Sequence, residues 1–423
     1  MKLVKTTFFT SIITFVRIGS GFVSSKIVAM LTGPAGVAII GAFSNFISIV
    51  LIFANGAINT GVVKYTAEYN GDDIQLKSLF STSLKISIYC SVVIGLLLIV
   101  LAPYWSAWLL TNSLYTNVIR VLGITIVLYS LNTLLISILN GKGQIKSYTI
   151  VNAAGSIIGL IMTAVLVYFY KVQGALYSLV LTPSIVFFVT ASLIIKTPWF
   201  RWDYFKEAFN KTIGKKLSHF SLMALVSAVT VPVSQITLRN MVIAKLSINS
   251  AGYWQGMMKV SDGYLLLITT SLSTYYLPKL SSLKTRDELR KEIFSGYKII
   301  LPAVLFGCCT IYFLRFFIIR VLYTPDFLKM ESLFVWQLIG DFLKISAWIL
   351  AYLMLAKAMT KAFIFTEIIF SISYVILGFI FLNIFHLKGI TMAFAVNYFI
   401  YLITMIFLFR KLLFGKKEVP VNS

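Results

Sequence analysis

Two acid–base pairs stand at helical spacing inside stretches that are otherwise apolar: Lys259 with Asp262, and Asp341 with Lys344. Residues three apart share a helix face. Each pair therefore either neutralises itself and locks helix packing, or presents charge to a ligand. Arg17 and Lys26 interrupt another apolar run, and Glu367 a further one. Counting Arg17, Lys26, Lys259 and Lys344 against Asp262 and Asp341 leaves an excess of two positive charges, which suits an anion. Lys26 can snorkel toward an interface, whereas Arg17 has no obvious local partner.

Neutral polar residues extend the series. Asn45, Asn55 and Asn59 share one run, and Thr230, Ser234 and Gln235 surround Pro232 in another. They are the donors and acceptors a carbohydrate requires, and their plainer use is hydrogen bonding between helices, worth about 0.6 kcal/mol on average. Pro232 removes a backbone bond and is expected to kink its helix. Asp341, Asp262 and Glu367 are the candidates for a charge pair or for a carboxylate that changes protonation during a cycle. Asp341 comes first, Asp262 second, and Glu367 lies closer to cytoplasmic water.

These residues acquire meaning from the solvent around them. Of 423 residues, 59% are hydrophobic and 12% charged, against about half and about a quarter in a soluble domain; the mean hydropathy is +0.90. Only helices or closed barrels satisfy their backbone in hydrocarbon, and the apolar runs are too long for barrel strands. The fold class is therefore an all-α polytopic membrane protein of about twelve transmembrane helices. Spans are predicted at roughly 6–31, 36–63, 78–103, 116–140, 147–170, 173–196, 213–238, 250–276, 292–315, 332–356, 361–382 and 390–412. In such a helix an ionisable side chain costs about 3 kcal/mol or more at the bilayer centre, and by default faces a cavity or a partner.

The formal charge of +23 follows the topology and does not require nucleic acid. Basic residues concentrate at Lys196 to Lys216, Lys279 to Lys291 and Arg410 to Lys417, so the positive-inside rule places both termini in the cytoplasm. Met1 to Lys5 and the apolar run behind it mimic a signal peptide, but the run continues to Leu31 without a small-residue cleavage site and is expected to remain as the first span.

Several chemistries lack their residues. No G-x-x-x-x-G-K-[ST] loop occurs, which leaves the chain without its own Walker-type ATPase. His219 and His386 are the only histidines, too few and too far apart for a zinc site or a Ser-His-Asp triad. Cys90, Cys308 and Cys309 all fall inside apolar runs and read as packing residues. No cofactor is called for.

An internal repeat is present. Lys142, Lys146 and Gly174 recur as Lys357, Lys361 and Gly389, each 215 residues later, and Ala35-Gly36 as Ala251-Gly252 at 216. Duplication of a six-helix unit would give two parallel-repeat lobes around a central cavity: residues 1–196 and 213–423, with 197–212 as a cytoplasmic interfacial linker. That linker carries Trp199, Phe200, Trp202, Tyr204 and Phe205 among basic residues, an interfacial pattern. Trp105 and Trp108, after Pro103, resemble an outer aromatic belt.

The stretches GPAGVAIIGAFSNF (33–46), GAINTGVVKYTAEY (56–69), HFSLMALVSAVTVPVSQ (219–235), AGYWQGMMKVSDGYLLLITTSLSTYYLPKLS (251–281) and WQLIGDFLKISAWILAYLMLAKA (336–358) resemble the Wzx-type translocases. These are the O-antigen and enterobacterial common antigen flippases of the multidrug/oligosaccharidyl-lipid/polysaccharide exporter superfamily. The likeness covers essentially the whole chain and is especially close to the branch that flips common-antigen lipid III. It implies a V-shaped pair of six-helix lobes around a cationic cavity, in the inner membrane. It also implies movement of undecaprenyl-pyrophosphate-linked oligosaccharide from the cytoplasmic to the periplasmic leaflet. Arg17, Lys26, Asp262, Asp341 and Lys344 sit where that branch also carries charges, and at Arg17 the charge rather than the guanidinium is what the resemblance supports.

The expected substrate site thus comprises Arg17, Lys26, Asn45, Asn55, Asn59, Gln235, Lys259 and Lys344, with Asp262, Asp341 and Glu367 as coupling or charge-pair residues. Expected partners are the lipid-linked oligosaccharide, membrane lipids, and a polysaccharide polymerase and chain-length regulator. Three rivals remain. A drug/cation antiporter of the same superfamily would show an acid-dominated cavity. A membrane enzyme acting on lipid-linked glycan would carry acids in a sizeable external loop, where this chain offers only Asp326 and Glu331. A non-transporting scaffold would tolerate loss of the central charges.

Overall fold

A computed structural model describes residues 2–110 and 112–415, with the side chains of 2–15, 219–224 and 274 left aside. Lys416 and Lys417 of the third basic segment, and the side chain of His219, therefore lie outside the described residues. Among the described residues the chain forms helices and no strand.

In order these are α1 (Lys2–Ala54), α2 (Asn59–Glu68), α3 (Asp73–Val100), α4 (Ala102–Leu110), α5 (Thr116–Gly141), α6 (Ile145–Ile195) and α7 (Lys211–Lys245). There follow α8 (Ile248–Ser271), α9 (Leu277–Ser282), α10 (Arg286–Leu322), α11 (Phe334–Ala356), α12 (Thr360–Phe385), α13 (Leu387–Leu408) and α14 (Arg410–Phe414).

Two helices are too long for one crossing. At 51 residues α6 would extend about 75 Å if straight, more than twice the hydrocarbon thickness. It consists of two helices meeting at Lys171, where φ is 52°. In the same way α1 is divided at Gly33, with φ 65°, and Pro34 opens its second half. Glycine takes that angle without cost, and proline is suited to a first helical turn. Eight segments are long and apolar enough to cross a membrane. Counting α1 and α6 twice, and adding the membrane-length but more polar α7 and α8, gives twelve among the described residues.

Boundaries differ from the sequence expectation in places. The second predicted span, 36–63, breaks after Ala54: Gly56 and Ala57 take φ of 59° and 54°, and α2 restarts at Asn59. The eighth, 250–276, ends in a π-helical turn over Leu272–Tyr276. Helix α7 passes through Pro232 as one continuous element.

The chain divides into two compact units, Met1–Ile236 and Thr237–Ser423, with the boundary inside α7 just beyond Pro232. In the first, α1 packs on α6, α6 on α5, and α5 on α3. Helix α3 buries Ser83, Ser87, Ser91 and Gly95, and Gly95 meets α5. A Cβ on Gly95 would meet the Gly123 carbonyl of α5 at 2.5 Å, and one on Gly123 the Gly95 carbonyl at 2.7 Å. Close backbone approach of this kind replaces the hydrophobic effect as the source of helix association in lipid. In the second unit α11 packs on α13, α12 on α13 and α10 on α11.

The linker is docked onto the first unit. Trp199, Tyr204 and Phe205 gather around Phe80 of α3, at centroid distances of 6.4, 5.7 and 6.0 Å. The Tyr204 hydroxyl donates to Asp73 Oδ1 at 2.6 Å, and Lys85 Nζ donates to the Glu207 carbonyl at 2.6 Å. With Phe200 packed against Leu139, Val151, Val186 and Ile194, four of the five aromatic residues that the pattern assigned to the membrane interface serve the core of the unit, while Trp202 stays 64% exposed.

Candidate functional site

The polar residues of the first unit are spread along α1, α2 and α7. Arg17 is exposed and Lys26 partly buried on the first half of α1, and no acid lies within ion-pair distance of Arg17 among the described residues. Asn45 is partly buried on the second half of α1, and Gln235 on α7. Asn55 is 2% exposed, and its Oδ1 accepts from the Ser130 hydroxyl of α5, so it ties α1 to α5. Asn59 opens α2 with a buried Oδ1 that has no partner among the described residues.

In the second unit the charges converge on α8 and α11, with α12 and α13 beside them. Asp341 is fully buried. Its Oδ2 accepts from Ser261 Oγ and from the Tyr264 hydroxyl, each at 2.6 Å, and its Oδ1 accepts from Gln337 Nε2 at 3.2 Å. Short O–H···O bonds to a carboxylate are the strong kind. Lys344, one turn along the same helix, goes elsewhere: its Nζ lies 4.8 Å from the Trp348 ring centroid and 6.0 Å from that of Tyr398 on α13.

Self-neutralisation within each i, i+3 pair is therefore not what the fold does. Neither Lys259 with Asp262 nor Lys344 with Asp341 forms an ion pair; the ion pairs among the described residues include Lys64–Glu68, Arg201–Asp73, Lys206–Asp203 and Arg315–Glu331. The reason is competition. Neutral donors from α8 and from one turn back on α11 reach Asp341 first, and aromatic faces hold the ammonium with a cation–π attraction of about 0.5–2 kcal/mol. Asp262 itself is exposed and Glu367 partly buried.

Several of these participants escape a reading of charge alone. Ser261, Tyr264 and Gln337 hold the buried acid, and Trp348 and Tyr398 hold the lysine. Gln337 and Trp348 had a detectable signal, since each lies four residues from its partner on α11. Arg239 of α7, 1% exposed, is another intramembrane cation; its Nη1 donates to Asn240 Oδ1 at 3.1 Å.

Residues 27–332 match the family described as polysaccharide biosynthesis protein. The chain is 33% identical to the lipid III flippase of Escherichia coli (strain K12), over 87% of this chain and 88% of that one. Among solved structures it resembles an inward-facing multidrug resistance MATE family transporter of the MOP superfamily, with a TM-score of 0.77, 14% identity and 95% of both chains covered. It also resembles an outward-facing transporter of that family, with a TM-score of 0.71, 14% identity, and 97% of this chain and 95% of that chain covered. At such identity the likeness to the transporters shows the fold.

Proposed function

Since the chain belongs to the polysaccharide biosynthesis protein family and carries helices long and apolar enough to cross a membrane, we propose that it flips undecaprenyl-pyrophosphate-linked oligosaccharide from the cytoplasmic to the periplasmic leaflet of the inner membrane. The substrate class is that of an O-antigen repeat unit or a related glycan such as lipid III. The observation that carries this reading is that Arg17, Lys259 and Lys344 stand at membrane depth with no acid at ion-pair distance among the described residues. A pyrophosphate crossing hydrocarbon meets a large desolvation penalty, and cations not already neutralised lower it. The lipid III flippase relative supports the same substrate class.

Transport proceeds by alternating access, with pyrophosphate and sugars on the polar residues of each unit and the polyprenyl tail left in lipid. Lys26, Asn45, Asn59 and Gln235 belong to this surface with Arg17, while Asp262, Asp341 and Glu367 form the coupling set. Both termini lie in the cytoplasm, as the basic segments Lys196 to Lys216 and Lys279 to Lys291 support. Its partners are membrane lipids, and a polymerase and chain-length regulator that receive the exported unit.

The test is surface polysaccharide in a strain lacking the chromosomal copy, complemented with Arg17→Ala and Arg17→Lys. Loss with Ala and retention with Lys is the expected result. Full polysaccharide from Arg17→Ala at normal protein level overturns the cationic-site reading. A drug/cation antiporter is not favoured, because its cargo would be repelled by these cations.

A further inference from the structure

We infer that Ser261, Tyr264 and Gln337 are positioning residues: by occupying most of the acceptor positions of Asp341 they keep it from pairing with Lys344, which is thereby left for the pyrophosphate of the substrate. The inference rests on the flippase reading and deepens it by assigning three uncharged side chains a role in anion binding.

The geometry contains a choice the helix spacing alone does not dictate. Asp341 and Lys344 are three residues apart on α11, the separation at which opposite charges commonly meet. In a site shielded from water their attraction would be strong. The ammonium nevertheless rests on the Trp348 and Tyr398 rings, a weaker hold. What fills the carboxylate instead is a set of three neutral donors. Two hydroxyls come from α8, at 2.6 Å, and an amide comes from α11, at 3.2 Å. A carboxylate offers about four acceptor positions; the two hydroxyls fill Oδ2 and the amide takes one of the two on Oδ1, so a single position is left for any further donor.

The consequence is a lysine that is weakly held. A phosphate oxygen competes easily with a ring face and poorly with a buried carboxylate. Asp262 is exposed and makes no ion pair among the described residues, so it does not replace Asp341 as the trap. Had Asp341 been absent, no donors would be required; with it present, these donors decide whether Lys344 binds the substrate or its own helix.

The experiment is equilibrium binding of farnesyl pyrophosphate to the purified full chain in detergent, by calorimetry. Ser261→Ala/Tyr264→Phe is expected to weaken binding about tenfold, or about 1.4 kcal/mol, and Tyr264→Phe alone by an intermediate factor that covers the case of a poorly folding double variant. Adding Asp341→Asn should restore affinity to within about threefold of the unaltered chain, because an amide cannot trap an ammonium as an anion does. A merely structural role for the hydroxyls would give a loss that Asp341→Asn leaves in place. If the unaltered chain binds the probe and the hydroxyl variants bind it equally, or if Asp341→Asn gives no rescue, the inference is wrong while the flippase reading stands. No binding by the unaltered chain would overturn the flippase reading, and this inference with it.

Discussion

Lys171 and His386 stand 215 residues apart and share the same unusual backbone, with φ of 52° and 53°. Positive φ at a residue with a side chain is strained by about 1–3 kcal/mol, and here both copies carry it where a helix doubles back. Three residues on, a Cβ at Gly174 would strike the Leu166 carbonyl and one at Gly389 the Phe381 carbonyl, again 215 apart. The loops at Gly143 and Ala358 agree to the level of single bonds: Gln144 N donates to Leu139 O and Ile145 N to Gly143 O, while Met359 N donates to Met354 O and Thr360 N to Ala358 O. The repeat of Lys142, Lys146 and Gly174 as Lys357, Lys361 and Gly389 thus reflects two hairpins of identical construction.

Gly174→Ala and Gly389→Ala should each destabilise the protein by about 3 kcal/mol, the upper range for forcing atoms into a packed site. Gly307→Ala, where a Cβ meets nothing within 4 Å, serves as the neutral control. Thermal unfolding in detergent followed by size-exclusion chromatography reads the difference. Equal stability of all three variants would mean the hairpins are looser than described.

The linker should behave as a clasp on α3. Burial, with the hydrogen bond to Asp73, pushes the Tyr204 phenol up to about 12. A raised folded value means that docking is stabilised below the ordinary tyrosine range near pH 10, and that the contribution fades as pH rises from there through about 12. The absorbance of tyrosinate, compared between the unaltered chain and Tyr204→Phe, should lose one late-titrating group. At neutral pH, Tyr204→Phe should cost about 1 kcal/mol of docking and expose Arg201 and Lys206 to trypsin several-fold faster. Unchanged cleavage would show that the ring cluster around Phe80 suffices.

Orientation is open to direct labelling. On a cysteine-free background, single cysteines near residues 70, 143, 207 and 286 should resist membrane-impermeant thiol reagents in intact cells. Those near 112, 247 and 325 should react once the outer membrane is permeabilised. The asymmetry of loop charge is the basis, and the reverse pattern would invert the topology.

The twelve crossings were legible because hydrocarbon demands long apolar helices, and the sharp reversals near Gly33 and Lys171 fell between the predicted spans. The break before α2 was not, since Ala57 gives no compositional hint of its φ of 54°. The charged members of the site were visible for the opposite reason, as polar residues are conspicuous in an apolar run. Their partners were hidden. Ser261 and Tyr264 lie 80 and 77 residues from Asp341, and helical spacing shows which residues are near without showing which contact wins. Gly95 follows Ser83, Ser87 and Ser91 at intervals of four in the sequence, and its own purpose becomes plain only with Gly123 facing it.

We propose Asp341 as the site of energy coupling. An ion-pair strut with Lys344 would have explained a buried acid without any role in transport, but that pair does not form, so neutralising Lys344 has no strut to rescue. What the structure shows is a carboxylate oxygen receiving two hydroxyls of α8. A proton arriving there needs an acceptor, and a hydroxyl of Ser261 or Tyr264 can supply it only by turning from donor to acceptor. Protonation would then alter the contact between α8 and α11, which is the kind of link a coupled cycle requires. Asp341→Asn in proteoliposomes is expected to abolish acceleration of flipping by an imposed pH gradient, while binding of a pyrophosphate lipid stays within about threefold. Adding Lys344→Gln should leave the folding yield of Asp341→Asn unimproved. Normal flipping by Asp341→Asn, with an unchanged response to the gradient, would remove Asp341 from the coupling path.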